Sequence, residues 1–316
     1  MAYINVDEVY ILDNTGLQVD MATDIPFADA GFTDAQKEQA RKNIAAGGTN
    51  PNLLDNPFFG NPVNQRGLTT YSGTGQLKTI DRWVLYNGSG TNSLTIKSGY
   101  ISVRSDANGF AQLAEDAVGA ALNGKTLTAS ILFNDGTVMS KTGVYNNSAL
   151  VALGDGIYFG LVGGKQCLFD YTTGNGVTKD IKAVKLELGS VSTLANDVPP
   201  DYGTELLKCM RYFVRIDAPY LYNGFGVGRA TSNAECRIFI PLPNVLRASP
   251  TVSSSAIGNL RLVGNGSSIT PSAVSYSGRS QVGVNIAFTA SGLTANQLYF
   301  IAKESSDCYI DLSADL

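Results

Sequence analysis

The chain of 316 residues contains no histidine. This absence excludes Ser-His-Asp and Cys-His nucleophile systems, and it removes the commonest zinc ligand. Cysteine is also scarce: the four cysteines lie far apart, without the paired spacing of a metal site or the density of a disulfide framework. We interpret all of them as small buried hydrophobic residues in a chain that folds under reducing conditions. They are Cys167, Cys209, Cys236 and Cys308.

Charge and long apolar runs are sparse as well. Charged residues make up 16% of the chain, and 23 Lys and Arg against 27 Asp and Glu give a net charge of −4. No basic cluster is present that could neutralise phosphates, so no nucleic-acid partner is expected. No apolar run approaches the ~20 residues of a membrane span, and the first residues lack a secretory signal pattern, so membrane insertion is not expected either.

No residue pattern points to catalysis, a metal or a cofactor. The segment Gly154–Gly160 does not fit a phosphate-binding turn that leads into a helix, and its glycines are typical of β-turns. Neighbouring carboxylates, such as Glu115 with Asp116 or Asp197 with Asp201, are interpreted as solvated loop charges. We therefore predict no catalytic residue, no metal site and no cofactor, and a protein that is not an enzyme. Calcium at the turns near Asp106 or Asp135 stays open, although no EF-hand-like series of ligands is present.

Residues 1–50 read as a separate N-terminal segment. Short apolar runs within residues 1–32 indicate an extended or β-type stretch. From Thr33 to Ile44 the residues are good helix formers, Thr33 and Gln36 fit a capping box, and Gly47–Gly48 ends the run. The predicted helix has too few apolar residues to bury much surface by itself, so it is expected to pack on a neighbour or on copies of itself.

The pattern over residues 51–198 predicts a jelly-roll-like β-sandwich. Apolar and polar residues alternate on both sides of a turn at Ser98–Gly99, which indicates a hairpin. Residues 184–188 alternate in the same way, with Lys185 and Glu187 at the polar positions, and predict a half-buried strand. Strands this short and evenly spaced are typical of sandwiches.

Pro199–Pro200 marks the predicted boundary to a third region, residues 199–316. Residues 201–213 predict a short linking helix whose apolar residues share one face. These residues are Leu206, Leu207, Met210 and Phe213. Alternating runs follow, clearest over residues 282–288, and they predict a second, C-terminal β-sandwich. The predicted fold class is therefore mainly β, with an N-terminal extended segment and two short helices.

Several motifs occur in a specific order along the chain. They are Asn-Pro-Phe-Phe at 56–59, Asn-Gln-Arg-Gly at 64–67, Asp-Arg-Trp at 81–83, Lys-Leu-Glu-Leu-Gly at 185–189 and Glu-Leu-Leu-Lys-Cys-Met-Arg-Tyr-Phe at 205–213. Together they resemble a β-sandwich module that recurs in bacteriophage tail fibres and receptor-binding proteins. The helix-forming run that begins at Thr33 resembles segments of tail-fibre shafts, with Phe32 where the family often has Leu. Residues 240–252 and 312–316 are similar to the C-terminal domain of such proteins, although Leu246 stands where Met is frequent.

The resemblance implies a homotrimer that attaches a phage particle to polysaccharide on the host surface. Its N-terminal segment would join baseplate or tail proteins, and the protein would belong to the virion tail, assembled in the bacterial cytoplasm and released by lysis. Two other functions stay open at this point: a capsule-degrading glycosidase or depolymerase, and a structural fibre or collar subunit without a ligand. The host, the receptor and the kind of particle stay open too.

The Gly-rich segment Asp217–Arg229 is one candidate ligand site. Aromatic faces next to amide and guanidinium edges suit sugars, whose C–H faces are apolar and whose rims form hydrogen bonds. The residues of interest are Tyr220, Tyr222, Asn223, Phe225 and Arg229. The polar segment 264–278 adds Tyr276, with Arg279 just beyond it, as a further contact surface. The alternative for the first segment is a strand pair with buried tyrosines.

Arg66, Asp81 and Trp83 form a second candidate, and two interpretations are open. The tryptophan ring can stack on a sugar while the charged pair bonds its hydroxyls. Alternatively, Arg66 and Asp81 form an internal charge-assisted bond and Trp83 lies in the core.

Overall fold

The computed structural model describes residues 10–12, 18–20, 50–73, 75–86, 92–105, 109–217, 220–221, 223–264, 266–305 and 307–316. The side chains of residues 10–12, 18–20 and 225 are not part of the description. Contacts divide the chain into two compact units, residues 1–49 and residues 50–316, and each unit is treated by itself.

In the first unit, β1 (Tyr10–Leu12) and β2 (Gln18–Asp20) pair antiparallel. Both strands fall within the N-terminal stretch for which extended structure was predicted. The predicted helix over residues 33–44 lies outside the described residues.

Residues 50–198 form a β-sandwich of two six-stranded antiparallel sheets. Its elements in chain order are β3 (Thr70–Gly73), β4 (Leu77–Lys78), β5 (Trp83–Leu85), β6 (Asn92–Lys97), β7 (Tyr100–Arg104), β8 (Phe110–Ala114), α1 (Asp116–Leu122), β9 (Thr126–Phe133), β10 (Val138–Val144), β11 (Leu150–Gly154), β12 (Ile157–Val162), β13 (Lys165–Tyr171), β14 (Thr178–Leu188) and a 3₁₀ turn (Leu194–Asn196). Sheet A has the order β10-β9-β14-β7-β6-β3, and sheet B has the order β11-β12-β13-β8-β5-β4.

The two sheets share one hydrophobic core, because successive side chains of a strand point to opposite faces and the apolar ones point inward. Leu94 and Ile101 of sheet A and Phe159 of sheet B are fully buried in it. Trp83 stacks on Phe110 with 4.4 Å between ring centroids. Aromatic pairs of this kind add to the stability that burial alone provides.

The Asn-Pro-Phe-Phe segment completes sheet A where β7 stops pairing with β14, at Ile181. The N–H of Phe59 donates to the carbonyl of Lys182 at 2.8 Å. The carbonyl of Pro57 accepts from the N–H of Val184 at 3.0 Å. The segment therefore acts as a short substitute strand and satisfies main-chain groups that a sheet edge would leave unpaired.

Residues 199–316 form a second sandwich of a three-stranded and a seven-stranded antiparallel sheet. Its elements are α2 (Tyr202–Met210), β15 (Phe213–Asp217), β16 (Gly224–Ala230), β17 (Glu235–Pro241), β18 (Thr251–Ser254), a 3₁₀ turn (Ile257–Asn259), β19 (Leu260–Gly264), β20 (Ser267–Ile269), β21 (Ala273–Ser280), β22 (Gly283–Thr289), β23 (Leu298–Lys303) and β24 (Tyr309–Ser313). Sheet C has the order β15-β24-β18, and sheet D has the order β20-β19-β23-β16-β17-β22-β21. Val214 and Leu312 of sheet C pack with Ile238 and Ile286 of sheet D in a second core.

The predicted fold class is confirmed: the protein is mainly β and built from antiparallel sandwiches. Residues 184–188 lie in strand β14 as predicted, but the prediction that this strand is half-buried is wrong. Lys185 and Glu187 are both 0% exposed, because residues 192–197 cover the outer face of β14, whereas Leu188 is 49% exposed.

The predicted apolar face of the linking helix is also wrong. The helix ends at Met210, and Phe213 already begins β15. Its fully buried residues are Glu205 and Cys209, whereas Leu207 is 54% exposed. The helix turns Glu205 inward because this carboxylate accepts a main-chain hydrogen bond from the first sandwich.

Two of the carboxylates that were interpreted as solvated loop charges have structural partners instead. Glu115 precedes α1, a helix that the sequence analysis did not predict, and accepts from the Arg211 guanidinium at 2.9 Å. The Asp197 side chain is 9% exposed and forms a close ion pair with Lys185. Both residues link separate parts of the chain.

Candidate functional site

A cleft of about 510 Å³ lies on the outer face of sheet A. Its floor contains Ala183 of β14 and Leu132 of β9, which are directly paired across the two strands. Because Val184 and Ile131 point into the core, their neighbours Ala183 and Leu132 point outward. We call this space the sheet A cleft.

One wall of the sheet A cleft is the segment 56–63. Asn56 has a φ of 52°, a left-handed conformation that asparagine tolerates better than most residues. Its side-chain amide donates to the carbonyls of Val63 and Asp81 at 2.9 Å, and its side-chain oxygen accepts from Val63 N–H at 2.8 Å. These three bonds fix the loop that presents Phe58 and Asn61 to the cleft.

The turn of the β6–β7 hairpin borders the same wall. Gly99, at this turn, has a φ of 88°, in the left-handed region that glycine adopts without steric cost. It lies against Gly60, where an added Cβ would meet the carbonyl oxygen of Gly99 at 3.8 Å. Two glycines here leave room at the mouth of the cleft.

A buried polar cluster anchors the opposite wall to sheet A. The Lys185 ammonium is 0% exposed and lies 2.6 Å from Asp197 Oδ1, 2.8 Å from Thr193 Oγ1 and 3.8 Å from Glu187 Oε2. Glu187 in turn accepts from the N–H and the hydroxyl of Thr193, both at 2.7 Å. Because every member has a partner, residues 193–197 are held firmly on β14.

Helix α2 continues this wall beyond Pro199 and Pro200. Asp201 caps the helix, and its side chain accepts from Thr204 N–H at 2.9 Å. The first helical residue, Tyr202, lines the cleft with 44% of its surface exposed. One turn further on, Glu205 Oε2 accepts from Asn56 N–H at 2.6 Å, which joins the two walls.

The composition of the sheet A cleft is that of a ligand-binding site. Ligand sites are typically concave, about 300–1,000 Å³ in volume, and mostly apolar with a few fixed polar groups. Here the rings of Phe58 and Tyr202 lie in one cleft with the amide of Asn61 and with Lys182. The two carboxylates that line it, Asp197 and Glu205, are each bound to a lysine at 2.6 Å.

Within the described part of the chain, no group of three or more Cys, Asp or Glu residues is placed to hold a metal ion. In the same residues, no helix combines the length and the apolar character needed to cross a membrane.

Arg66, Asp81 and Trp83 lie inside the protein. Trp83 is 1% exposed and donates from Nε1 to the carbonyl of Asn56 at 2.9 Å, so its ring presents no face for stacking on a sugar. Burial raises the pKa of Asp81 to about 6, although the Arg66 guanidinium, 3.4 Å away, lowers it. Their geometry corresponds to the internal bond and core packing that was the second interpretation.

Arg66 also links the two sandwiches. Its Nη2 lies 2.6 Å from Asp315 Oδ2, and its guanidinium lies 3.9 Å from the centre of the Phe213 ring. The neighbouring Gln65 donates to the carbonyl of Phe213 at 2.8 Å, and Arg215 donates to the carbonyl of Arg66 at 2.6 Å. We call these four contacts the inter-sandwich junction. The Asn-Gln-Arg-Gly motif at residues 64–67 therefore contacts Phe213, the last residue of the motif at residues 205–213.

The candidates of the segment 217–229 are only partly described. Tyr220 is 73% exposed, and its carbonyl accepts from Asn223 N–H at 3.2 Å, so these two share a turn. Arg229 is exposed further along β16. Tyr222 and the side chain of Phe225 lie outside the described residues.

Tyr276 and Arg279 are not brought together with these residues. Tyr276 on β21 pairs with Ile286 of β22, packs against the second core and is only partly exposed. Arg229 pairs with the exposed Arg237 on the opposite face of sheet D. Arg279 is exposed at an irregularity of β21 between Ser277 and Ser280.

The sheet A cleft was not predicted from the sequence. Tyr202 and Glu205 were assigned to a linking helix, and Asn56 and Phe58 were noted only as part of a motif. The two prolines next to a capped helix were the available signal, since they stiffen a wall. Nothing in the sequence indicates that the wall at residues 197–205 faces the segment 56–63.

Comparison of the chain with protein-family models, with curated proteins and with solved structures gave no match. The function has to be inferred from the geometry of the site and from the motifs.

Proposed function

We propose that this protein is a phage tail-fibre or receptor-binding protein that attaches a particle to glycan on the host cell surface. The sheet A cleft supports this proposal most directly, because it places two ring faces beside fixed polar groups on a rigid β scaffold. The order of motifs along the chain, which resembles tail-fibre proteins, supports it independently.

The proposed molecule is a homotrimer whose N-terminal segment joins baseplate or tail proteins of the virion. A cleft of this size binds a sugar weakly, and three linked copies raise the effective affinity through multivalency. Light scattering on the full chain is expected to give three times the chain mass of 33.4 kDa. A monomer at micromolar concentration would contradict the trimer.

An array of bacterial surface glycans tests the binding function. We expect the protein to bind at least one glycan, and Tyr202→Ala to weaken this binding about tenfold, because a ring–sugar stack is lost. Tyr220→Ala is the control, since it removes an exposed tyrosine ring that lies outside the cleft, in the second sandwich. If a folded, trimeric sample bound none of the bacterial surface glycans, the proposal would be contradicted.

The same samples separate attachment from hydrolysis. Both carboxylates of the sheet A cleft are paired with lysines, which supports a binding role for the cleft rather than hydrolysis. Incubation with a bound polysaccharide is expected to release no oligosaccharide. Measured release would favour a depolymerase instead.

A further inference from the structure

Lys182 is the one basic residue among the described residues that line the sheet A cleft. It lies on β14, half-buried, and its carbonyl accepts from Phe59 N–H at 2.8 Å, so its main chain is fixed to the wall. Its ammonium forms no ion pair with any residue in the described ranges. An ammonium group offers three hydrogen-bond donors, and no described residue accepts a hydrogen bond from the Lys182 ammonium.

The acidic residues of the cleft do not compensate this charge. Asp197 Oδ1 is bound to Lys185, and Glu205 Oε1 is bound to Lys208, in each case at 2.6 Å. The second oxygen of Glu205 accepts from Asn56 N–H. Both carboxylates are therefore engaged within the protein, whereas Lys182 is available to a ligand.

We propose that the sheet A cleft selects an acidic sugar, one that carries a carboxylate, through an ion pair with Lys182. This inference rests on the proposed glycan-binding function and names its ligand class. A charge-assisted hydrogen bond is stronger than a neutral one, and more so where water is partly excluded. A single lysine compensates one negative charge, which matches a sugar carboxylate better than a doubly charged phosphomonoester.

The rigid walls make this selection effective. The Lys185 cluster and the bond between Glu205 and Asn56 hold the cleft in shape before a ligand arrives. A preformed site loses less conformational entropy on binding, so the ion pair contributes more of its strength to affinity. The rings of Phe58 and Tyr202 would contact the C–H face of the same sugar.

The test uses each polysaccharide that the full-length protein binds on the glycan array, before and after chemical reduction of its carboxyl groups to alcohols. We expect reduction to weaken binding about tenfold or more. Lys182→Met is expected to cause the same loss for the native polysaccharide and no further loss for the reduced one. Lys182→Arg keeps the charge and should retain most of the binding. Lys125→Met, at an exposed lysine between α1 and β9, is the matched control.

The outcomes separate this inference from the proposed function. Binding that survives both carboxyl reduction and Lys182→Met, but is lost in Tyr202→Ala, overturns the acidic-sugar inference and leaves glycan attachment intact. Binding that is unchanged in both the Lys182 and the Tyr202 variants overturns both assignments to the cleft. Circular dichroism shows whether Lys182→Met folds. If it does not, the acidic-sugar inference is tested by Lys182→Arg, which should retain binding, and by carboxyl reduction, which should weaken it.

Discussion

Lys185 holds Asp197 at 2.6 Å, and the two side chains are 0% and 9% exposed, whereas Lys141 holds Asp155 at 2.7 Å with side chains that are 34% and 62% exposed. Removing one partner of a buried ion pair costs about 3–5 kcal/mol, because it leaves an uncompensated charge. Exposed pairs contribute about 1 kcal/mol or less.

We therefore expect Lys185→Ala to lower the free energy of unfolding by about 3–5 kcal/mol. Lys141→Ala, the matched control, removes an exposed pair and should lower it by about 1 kcal/mol or less. Urea denaturation of the two variants measures the difference. Equal and small losses would show that the Lys185 cluster does not anchor the wall of the cleft.

Asp170 on β13 makes stability depend on pH. Its Oδ1 is buried and has no hydrogen-bond partner among the described residues, and burial raises its pKa to about 7. A carboxyl with a raised pKa binds more protons in the folded state than in the unfolded state. The stability that protonated Asp170 contributes is therefore fully present below about pH 4, which is the pKa of an aspartate in the unfolded chain. This stability is lost as the pH rises through about 7, the pKa of Asp170 in the folded protein.

Asp170→Asn is expected to raise the melting temperature at pH 8 and to leave it nearly unchanged near pH 4, because the amide carries no charge. Thermal unfolding at both pH values measures this. Asp81, with a pKa near 6, acts in the same direction, so part of the pH dependence will remain in the variant. A melting temperature at pH 8 that does not rise would contradict the assignment.

At the scale of secondary-structure elements, helix α2 positions the ring of Tyr202. Its cap is Asp201, which accepts from both the N–H and the hydroxyl of Thr204. Loss of a cap of this kind costs about 1 kcal/mol.

Asp201→Ala should therefore destabilise the protein by about 1 kcal/mol and weaken glycan binding, since the first helical turn loosens. Thr204→Ala leaves the main-chain cap bond in place and is expected to have a smaller effect on both. Melting curves and the glycan array provide the measurements. Unchanged binding by Asp201→Ala would show that the start of α2 is not part of the site.

Hairpins and single strands could be predicted because their signals are local. The turn at Ser98–Gly99 and the strand at residues 126–133 follow from alternation and turn chemistry alone. The burial of Lys185 could not be predicted in this way, since it depends on a cover supplied by residues 192–197. The side chain of Glu205 looks like a surface residue until its partner, 149 positions away, is known.

The roles of the motif residues could not be predicted either, because they too depend on partners that are distant in the sequence. Arg66, Asp81 and Trp83 could be recognised as a group from the sequence, and both a sugar-binding site and an internal bond with core packing were open. Only the fold shows that their partners are main-chain groups, core rings and Asp315, two residues beyond the end of β24. The sheet A cleft could not be predicted because its two walls, residues 56–63 and 197–205, are far apart in the sequence.

At the scale of the whole molecule, the inter-sandwich junction makes residues 50–316 one compact unit. We expect this unit to unfold cooperatively. Trp83 is the only tryptophan and lies in the first core, so its fluorescence follows the first sandwich, while circular dichroism follows both. The two urea transitions should coincide.

Arg66→Ala removes the ion pair with Asp315 and the contact with Phe213, and should separate the two transitions. Arg237→Ala is the control, because its pair with Glu235 is on the surface of sheet D. Transitions that coincide in Arg66→Ala would show that the junction does not couple the sandwiches.

Hydrogen–deuterium exchange of the full chain, with and without a bound glycan, tests most directly whether the sheet A cleft holds the glycan as we propose. Slower exchange is expected at residues 57–63 and 197–205 and next to Lys182. Protection confined to residues 220–230 and 273–289, with no change around the cleft, would contradict the claim and place the ligand on the second sandwich.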